Sequence, residues 1–294
     1  MDKTNASLID IDYSQLMDLR IDYAFKLLFT KGNPRLLISL LNAIFANKKI
    51  PRVINSLEVK NLYLDKESSD DKLSILDIRA ELDDGTAILV EMHMYGLGEL
   101  KAKTIRSWAR VFGKELEAGQ RYALQPPTIT IAFTNGTIES LEDINNPGMA
   151  RGKIHRHCMI MDCEDFTVFT DALELHYIDM KAFAKAVNEA NSIHIDDTEE
   201  AMFAKWLSVI TQADITNKSI IKDACKEEAI LMAVSTLQMQ GEDKYTREAY
   251  ARRQDEIWFH NKAMYERDEY RRRAEQAEAE IEELRKQIAI LQAN

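Results

Sequence analysis

Residues that break or cross-link a chain are scarce here. The 294 residues include 10 glycines and 5 prolines, well under the roughly 7% and 5% usual in globular proteins. Few breakers favour long uninterrupted elements, so a helix-rich protein is expected. Cysteine is rarer still: Cys158, Cys163 and Cys225, an odd number with no CxxC spacing. That argues against a disulfide framework or a structural zinc site. It predicts buried free thiols in a reducing, cytoplasmic setting. Long apolar runs are missing too. Leu36 to Ala46 is interrupted by Ser39 and Asn42 and falls short of the roughly 20 residues of a membrane span. The first residues, MDKTNASLIDIDYSQL, lack a basic segment followed by an apolar one, so neither a secretory signal nor a membrane partner is expected. Net positive charge is absent: 49 acidic residues against 38 Lys and Arg leave −11. This excludes broad, non-specific coating of nucleic acid but leaves room for a local basic site.

What the chain does have is apolar material, 46% hydrophobic with 30% charged. That is enough for a core and excludes disorder. Asp18 to Phe29 carries Leu19, Phe25, Leu28 and Phe29 at helical spacing. After Gly32 and Asn33, Pro34 suits the first position of a second helix, where its missing N–H is harmless. Ser56 to Leu64 alternates like a strand, and DKESSDDK reads as a loop. Two strand-like runs then flank Asp83-Asp84-Gly85, a hairpin signal. From Glu99 to Gly119 the period is helical, with Ile105, Trp108, Phe112 and Leu116 on an apolar face. Lys103, Arg106, Arg110 and Lys114 line another face. Thr128 to Phe133, His155 to Met161 and Leu173 to Ile178 read as strands, Asn135 to Lys153 as an irregular loop. Beyond Lys181 the chain reads as helix.

Asp77 and Glu91 are charged residues inside otherwise apolar strands, SILDIRA and ILVEMHM. Burying an unpartnered carboxylate costs several kcal/mol, so their placement calls for a reason. A three-residue loop closed by left-handed Gly85 puts Leu82 opposite Thr86. Counting outward, Asp77 then faces Glu91, with Cβ atoms about 4.5–5.5 Å apart. Two carboxylates so close repel unless a cation lies between them, and oxygen ligands suit Mg²⁺ or Mn²⁺. His93 is two residues past Glu91 and shares its face. It suits a role in orienting water beside the metal or ligating it. Arg79 shares the face of Asp77, and the bland alternative is a salt bridge to Arg79 or Lys72.

Asp77, a hairpin and then Glu91-Met92-His93 resemble the PD-(D/E)XK nuclease core. More narrowly, the chain resembles the Rpn-type recombination-promoting nucleases, also described as PD-(D/E)XK family transposases. The matching stretches are DYAFKLLF at 22–29, LLISLLNAIF at 36–45, KLSILDIRAELDDGTAILVEMHM at 72–94 and FTDALELHYIDMKAF at 169–183. The resemblance spans residues 18 to 270 in order. It implies a restriction-endonuclease-like α/β fold: a mixed central sheet flanked by helices, with a helical C-terminal region. It implies a metal-dependent DNA endonuclease linked to recombination or mobile elements, with Asp77 and Glu91 holding Mg²⁺. His93 stands where the superfamily has Lys and these relatives commonly have Gln. Asp22 matches the acidic residue of the N-terminal helix, which reaches the metal through water; the plain alternative is an i,i+4 pair with Lys26.

The basic stripe Lys103, Arg106 and Arg110 follows the metal strand, and residues 95–125 carry six basic and three acidic residues. DNA-backbone contact is the functional reading, a solvated face the bland one. His155, His157 and His176 have no ligand spacing and read as structural, and Cys158 and Cys163 as core. Ala274, Ala277, Ile281, Leu284, Ile288 and Leu291 form a heptad seam. Arg273 with Glu278, and Glu280 with Arg285, are opposite-sign g–e pairs in a parallel dimer. A homodimer through this short coiled coil is therefore expected. The chain divides on this reading into a nuclease-like domain, 1–183, a helical region, 184–262, and the C-terminal helix, 263–294. Two other functions compete: a catalytically weakened relative that binds DNA or protein, and a coiled-coil interaction protein with a passive α/β scaffold.

Overall fold

A computed structural model describes residues 16–46, 48, 52–60, 63–64, 74–75, 78–94, 97–114, 119, 121–136, 138, 153–190, 199–211 and 224–293. Asp77, Leu116, the DKESSDDK stretch and most of the loop from 137 to 152 lie outside the described residues. Two compact units separate at Arg247, Met1–Arg247 and Glu248–Asn294.

The first unit begins with helices α1 (Asp22–Lys31) and α2 (Pro34–Phe45). Pro34 opens α2 as expected, and the Asn33 side chain caps it by accepting from Arg35 N at 3.0 Å. Leu36, Leu37, Leu40, Leu41, Ile44 and Phe45 are all buried.

Strands β1 (Glu58–Val59), β4 (Ile78–Glu81), β5 (Ala87–His93), β6 (Thr128–Thr134), β7 (His155–Met161) and β8 (Val168–Asp179) form one mixed sheet in the order β1-β4-β5-β6-β8-β7. β5, β6 and β8 run parallel at its centre, while β4 and β7 pair antiparallel on either side. β2 (Tyr63–Leu64) and β3 (Ser74–Ile75) make a separate pair. The single strand expected over Ser56 to Leu64 is thus two short strands in different sheets. Alternation alone cannot show that its ladder partner ends at Lys60 N, which donates to Arg79 O at 2.8 Å.

β8 is 12 residues long, starting five before the expected Leu173. Its first turn of chain is exposed on alternate residues, including Phe169 at 77%. Hydropathy therefore misses it; pairing with β7 creates it.

Helix α3 (Leu100–Phe112) lies between β5 and β6 in the chain and covers one face of the sheet. Its buried positions are Leu100, Thr104 and Val111, while Ile105 is 47% exposed. This corrects the apolar face read from the sequence. Thr104 can be buried because its hydroxyl bonds Leu100 O at 3.0 Å and Tyr177 Oη at 2.6 Å. Trp108 is half-buried, its Nε1 donating to Ala172 O at 3.1 Å.

The opposite face is covered by α1, α2 and the later helices α4 (Met180–Ala190), α5 (Glu199–Thr211) and α6 (Glu228–Glu242). Phe25 meets Phe133 at 5.6 Å between ring centroids, and Phe45 meets His176 at 5.3 Å. Trp206 of α5 is fully buried against Phe29, its Nε1 donating to Ser39 Oγ at 3.1 Å. Cys225 is buried as expected, but Cys158 and Cys163 are exposed. They lie on β7 and in the turn after it, and among the described residues β7 has one strand neighbour, β8.

The last helix, α7, runs Lys244–Ala293. The seam residues Ile281, Leu284 and Ile288 are 50%, 50% and 53% exposed. Its charged residues make i,i+4 pairs, such as Arg271–Glu275 at 3.3 Å and Lys286–Glu282 at 3.2 Å. No helix among the described residues is long and apolar enough to cross a membrane.

Candidate active site

The hairpin that carries Glu91 forms as its turn chemistry demands. Gly85 has φ +83°, a left-handed conformation that glycine adopts without a Cβ clash. Gly85 N donates to Leu82 O at 2.9 Å and Leu82 N to Thr86 O at 3.0 Å, closing the three-residue loop. The Asp84 carboxylate braces it by accepting from Thr86 N at 2.9 Å. The register then runs Glu81 with Ala87, Ala80 with Ile88, Arg79 with Leu89 and Ile78 with Val90. The next residue outward is Asp77, outside the described residues.

β5 is a central strand, buried at every position from Ala87 to Met92. Hence its one acidic residue is buried too: Glu91 is 7% exposed. Lateral neighbours in a sheet point the same way. Glu91 therefore shares a face with Ala132, Tyr177 and Arg156, its successive partners across β6, β8 and β7. Tyr177 and Ala132 pack on Leu100 of α3, which identifies this as the α3 face. His93, Thr134 and Asp179 form the next row, at the carboxyl ends of the three parallel strands. In open α/β sheets that end is where ligands bind. His93 Nε2 lies 2.9 Å from Glu91 Oε2. Among the described residues no Lys or Arg pairs with Glu91.

The other expected site residues are distributed around this centre. Asp22 is the first residue of α1, its carboxylate accepting from Tyr23 N at 2.8 Å. Phe25, one turn on, packs on the sheet face opposite Glu91. Lys103, Arg106 and Arg110 lie on α3, which covers the face of Glu91. The helix runs from Leu100 near Tyr177 to Val111 near Ala87 and Leu89. Lys103 is therefore nearest the strand ends, and Arg110 sits about 10 Å further along at 1.5 Å per residue. Lys103 also pairs with Glu99 at 3.5 Å. Along β7 a cavity of about 430 Å³ is lined by Lys101, Ile105, Lys153, Arg156 and Tyr177, and also by His155 and His157. Its three cations were not singled out by the sequence, because two of them sit far from α3 in the chain.

The structure also assembles a second polar cluster. His157 Nε2 is 2.8 Å from Glu174 Oε1, and His176 Nε2 is 3.0 Å from the same oxygen. Arg52 holds Oε2 through Nε and Nη2, at 3.3 and 3.2 Å. His155 Nε2 lies 2.9 Å from His176 Nδ1. Glu174 and His176 have no exposed side-chain surface. Burial would raise the Glu174 pKa, but hydrogen bonds from His157 and His176 and the Arg52 charge outweigh it and hold the carboxyl below its usual range. Burial pushes His176 down to about 4, partly opposed by Glu174. Burial and the neighbouring His176 push His155 down to about 2.

By register His157 faces His176, which faces Ile131, so this cluster lies on the face opposite Glu91. These histidines read as unrelated in sequence because 16 residues separate the two pairs. The usable signal was the i,i+2 spacing within each strand, His155-x-His157 and Glu174-x-His176.

One family of sequences, described as PD-(D/E)XK nuclease family transposase, matches residues 19–267. No curated protein and no solved structure matches the chain.

Proposed function

The chain belongs to the PD-(D/E)XK nuclease family transposases, and on that premise we propose that it is a divalent-metal-dependent DNA endonuclease acting in recombination or on mobile elements. One observation carries the reading: Glu91, a buried carboxylate near the carboxyl end of a central parallel strand, bonded to His93 and with no Lys or Arg paired to it among the described residues. The donor chemistry fits the metal this family would use, since carboxylate oxygens suit Mg²⁺ or Mn²⁺. Glu91 and Asp77 would hold it. The hairpin register supports the pairing as far as Ile78 with Val90, one residue short of Asp77.

When bound, such an ion stabilises charge on the scissile phosphate and the leaving oxygen and lowers the pKa of a bound water. The chain's own residues then have separate tasks. His93, hydrogen-bonded to Glu91, orients the attacking water. Lys103, Arg106 and Arg110 contact the DNA backbone, with Lys103 closest to the strand ends. Lys101, Lys153 and Arg156 extend the positive surface around the neighbouring cavity. Asp22, the first residue of α1, would act through water. Plasmid nicking in Mg²⁺, Mn²⁺, Ca²⁺ and EDTA tests the reading. Nicking in Mg²⁺ or Mn²⁺ that EDTA stops supports it, and equal nicking in EDTA overturns it.

The α7 seam serves a parallel homodimer. Ile281→Lys with Leu284→Lys should reduce the sedimenting mass, because charges at these positions must be desolvated in the pair. An unchanged mass removes the seam as the interface.

A further inference from the structure

We propose that His157, Glu174 and His176 form a second metal site that takes Zn²⁺ or a similar transition-metal dication, separate from the oxygen-ligand site of Glu91. His157, Glu174 and His176 each offer a donor atom, and the three lie within 4.8 Å of one another; His157 Nε2 and His176 Nε2 both meet Glu174 Oε1. They come from two paired strands, with His157 directly opposite His176, so the backbone ladder holds them in place. Two imidazoles and a carboxylate are the donor set of many zinc centres, and imidazole selects Zn²⁺ over Mg²⁺. The cysteine count speaks against thiolate zinc sites, and this one needs no thiolate.

The surroundings match what metal ligands require. A ligating histidine usually has its other ring nitrogen hydrogen-bonded, and a ligating carboxylate its other oxygen. Here His155 meets His176 Nδ1 at 2.9 Å, and Arg52 meets Glu174 Oε2 at 3.2 Å. Tetrahedral Zn²⁺ with ligands at about 2.0–2.2 Å sets neighbouring donor atoms about 3.3–3.5 Å apart. The present 2.8 and 3.0 Å contacts open by roughly half an ångström to admit it. The His157 side chain keeps 13% exposure on β7, which provides the way in. A dication there would clamp β7 onto β8. It lies on the sheet face opposite Glu91, so it is expected to act independently of the Glu91 site.

The test uses the full chain without a polyhistidine tag, stripped of metal and titrated with Zn²⁺ against a chromophoric chelator. One Zn²⁺ per chain is expected, undisplaced by a hundredfold excess of Mg²⁺, with a higher melting temperature. Co²⁺ in its place should give the visible absorption of a four-coordinate ion. His157→Gln removes a ligand at the partly exposed position, where folding is least at risk. His155→Phe removes only the group behind His176. Loss of such a supporting group typically weakens binding about 10–100-fold, and His157→Gln should weaken it further. Glu91→Gln should leave Zn²⁺ binding unchanged. Absence of stoichiometric Zn²⁺ from the wild-type chain overturns the proposal, the cluster then being a hydrogen-bonded network only. So does binding that survives His157→Gln and His155→Phe, or that vanishes in Glu91→Gln.

Discussion

Two strands of one sheet carry the same three-residue pattern, Glu91-Met92-His93 on β5 and Glu174-Leu175-His176 on β8. In both, the histidine Nε2 reaches the glutamate two residues before it, at 2.9 and 3.0 Å. That much follows from the period-2 geometry of a strand. Everything else differs. Glu91 pairs across the sheet with Ala132 and then Tyr177, and among the described residues its carboxylate meets His93 but pairs with no Lys or Arg. Glu174 points to the other face, where Arg52 and His157 join His176 around it. One carboxylate is left with capacity for a ligand from outside the chain. The other is held by three neighbours from within it. The local pattern sets the Glu–His pair, and the strands beside it set what the pair can do.

The largest expected effect separates the two faces by chemistry. Asp77→Asn with Glu91→Gln should abolish metal-dependent cleavage in the plasmid assay, because both charges that hold the ion are gone while shape is kept. Full activity in that double mutant, in preparations free of contaminating nuclease, would falsify the catalytic assignment. The metal-free melting temperature should stay the same or rise, as carboxylate repulsion is relieved.

Glu174→Gln should do the reverse. Arg52 then loses its buried partner and keeps the half-exposed Asp171 at 3.8 Å, so the cost should be a part of the roughly 3–5 kcal/mol of a fully broken buried pair. Denaturant unfolding should show that loss, and cleavage per folded molecule should be unchanged. If Glu91→Gln and Glu174→Gln destabilise alike, the contrast between the faces is wrong.

His93→Gln sharpens the catalytic side. An amide can hold the same water, so activity within about tenfold of wild type is expected, against a loss of roughly 10²–10⁴-fold for a general base. Single-turnover rates decide between them. The smallest effect belongs to the turn. Gly85→Ala strains a residue at φ +83° by about 1 kcal/mol. A melting temperature about 2–4 °C lower is expected for a unit of this size, and no shift would mean the hairpin does not depend on Gly85.

Much of the fold was legible in residue order. Pro34 opens its helix, Gly85 takes positive φ, and the hairpin register follows from loop length. These features depend on neighbours in sequence, where local sterics decide. The start of β8 and the buried Thr104 were illegible because their partners, β7 and Tyr177, are distant in the chain. Cys158 looked like core by its residue type, yet β7 has one strand neighbour among the described residues and leaves it exposed.

The candidate sites divide in the same way. Glu91 with His93, an acidic residue in an apolar strand, is visible in a single segment, and so is the basic stripe on α3. The cluster of His157, Glu174 and His176 was hidden, although its two i,i+2 halves were in plain sequence. Sequence by itself determined which side chains share a face within each strand, because that alternation is a property of the extended backbone. Only the tertiary structure decided that β5, β6 and β8 lie side by side in a register that puts Glu91 and Tyr177 on one face and Glu174 and His176 on the other. Register between strands distant in sequence comes from packing of the helices above and below, Phe25 on Phe133 and Leu100 on Ala132 among them. No run of residues read alone contains that information.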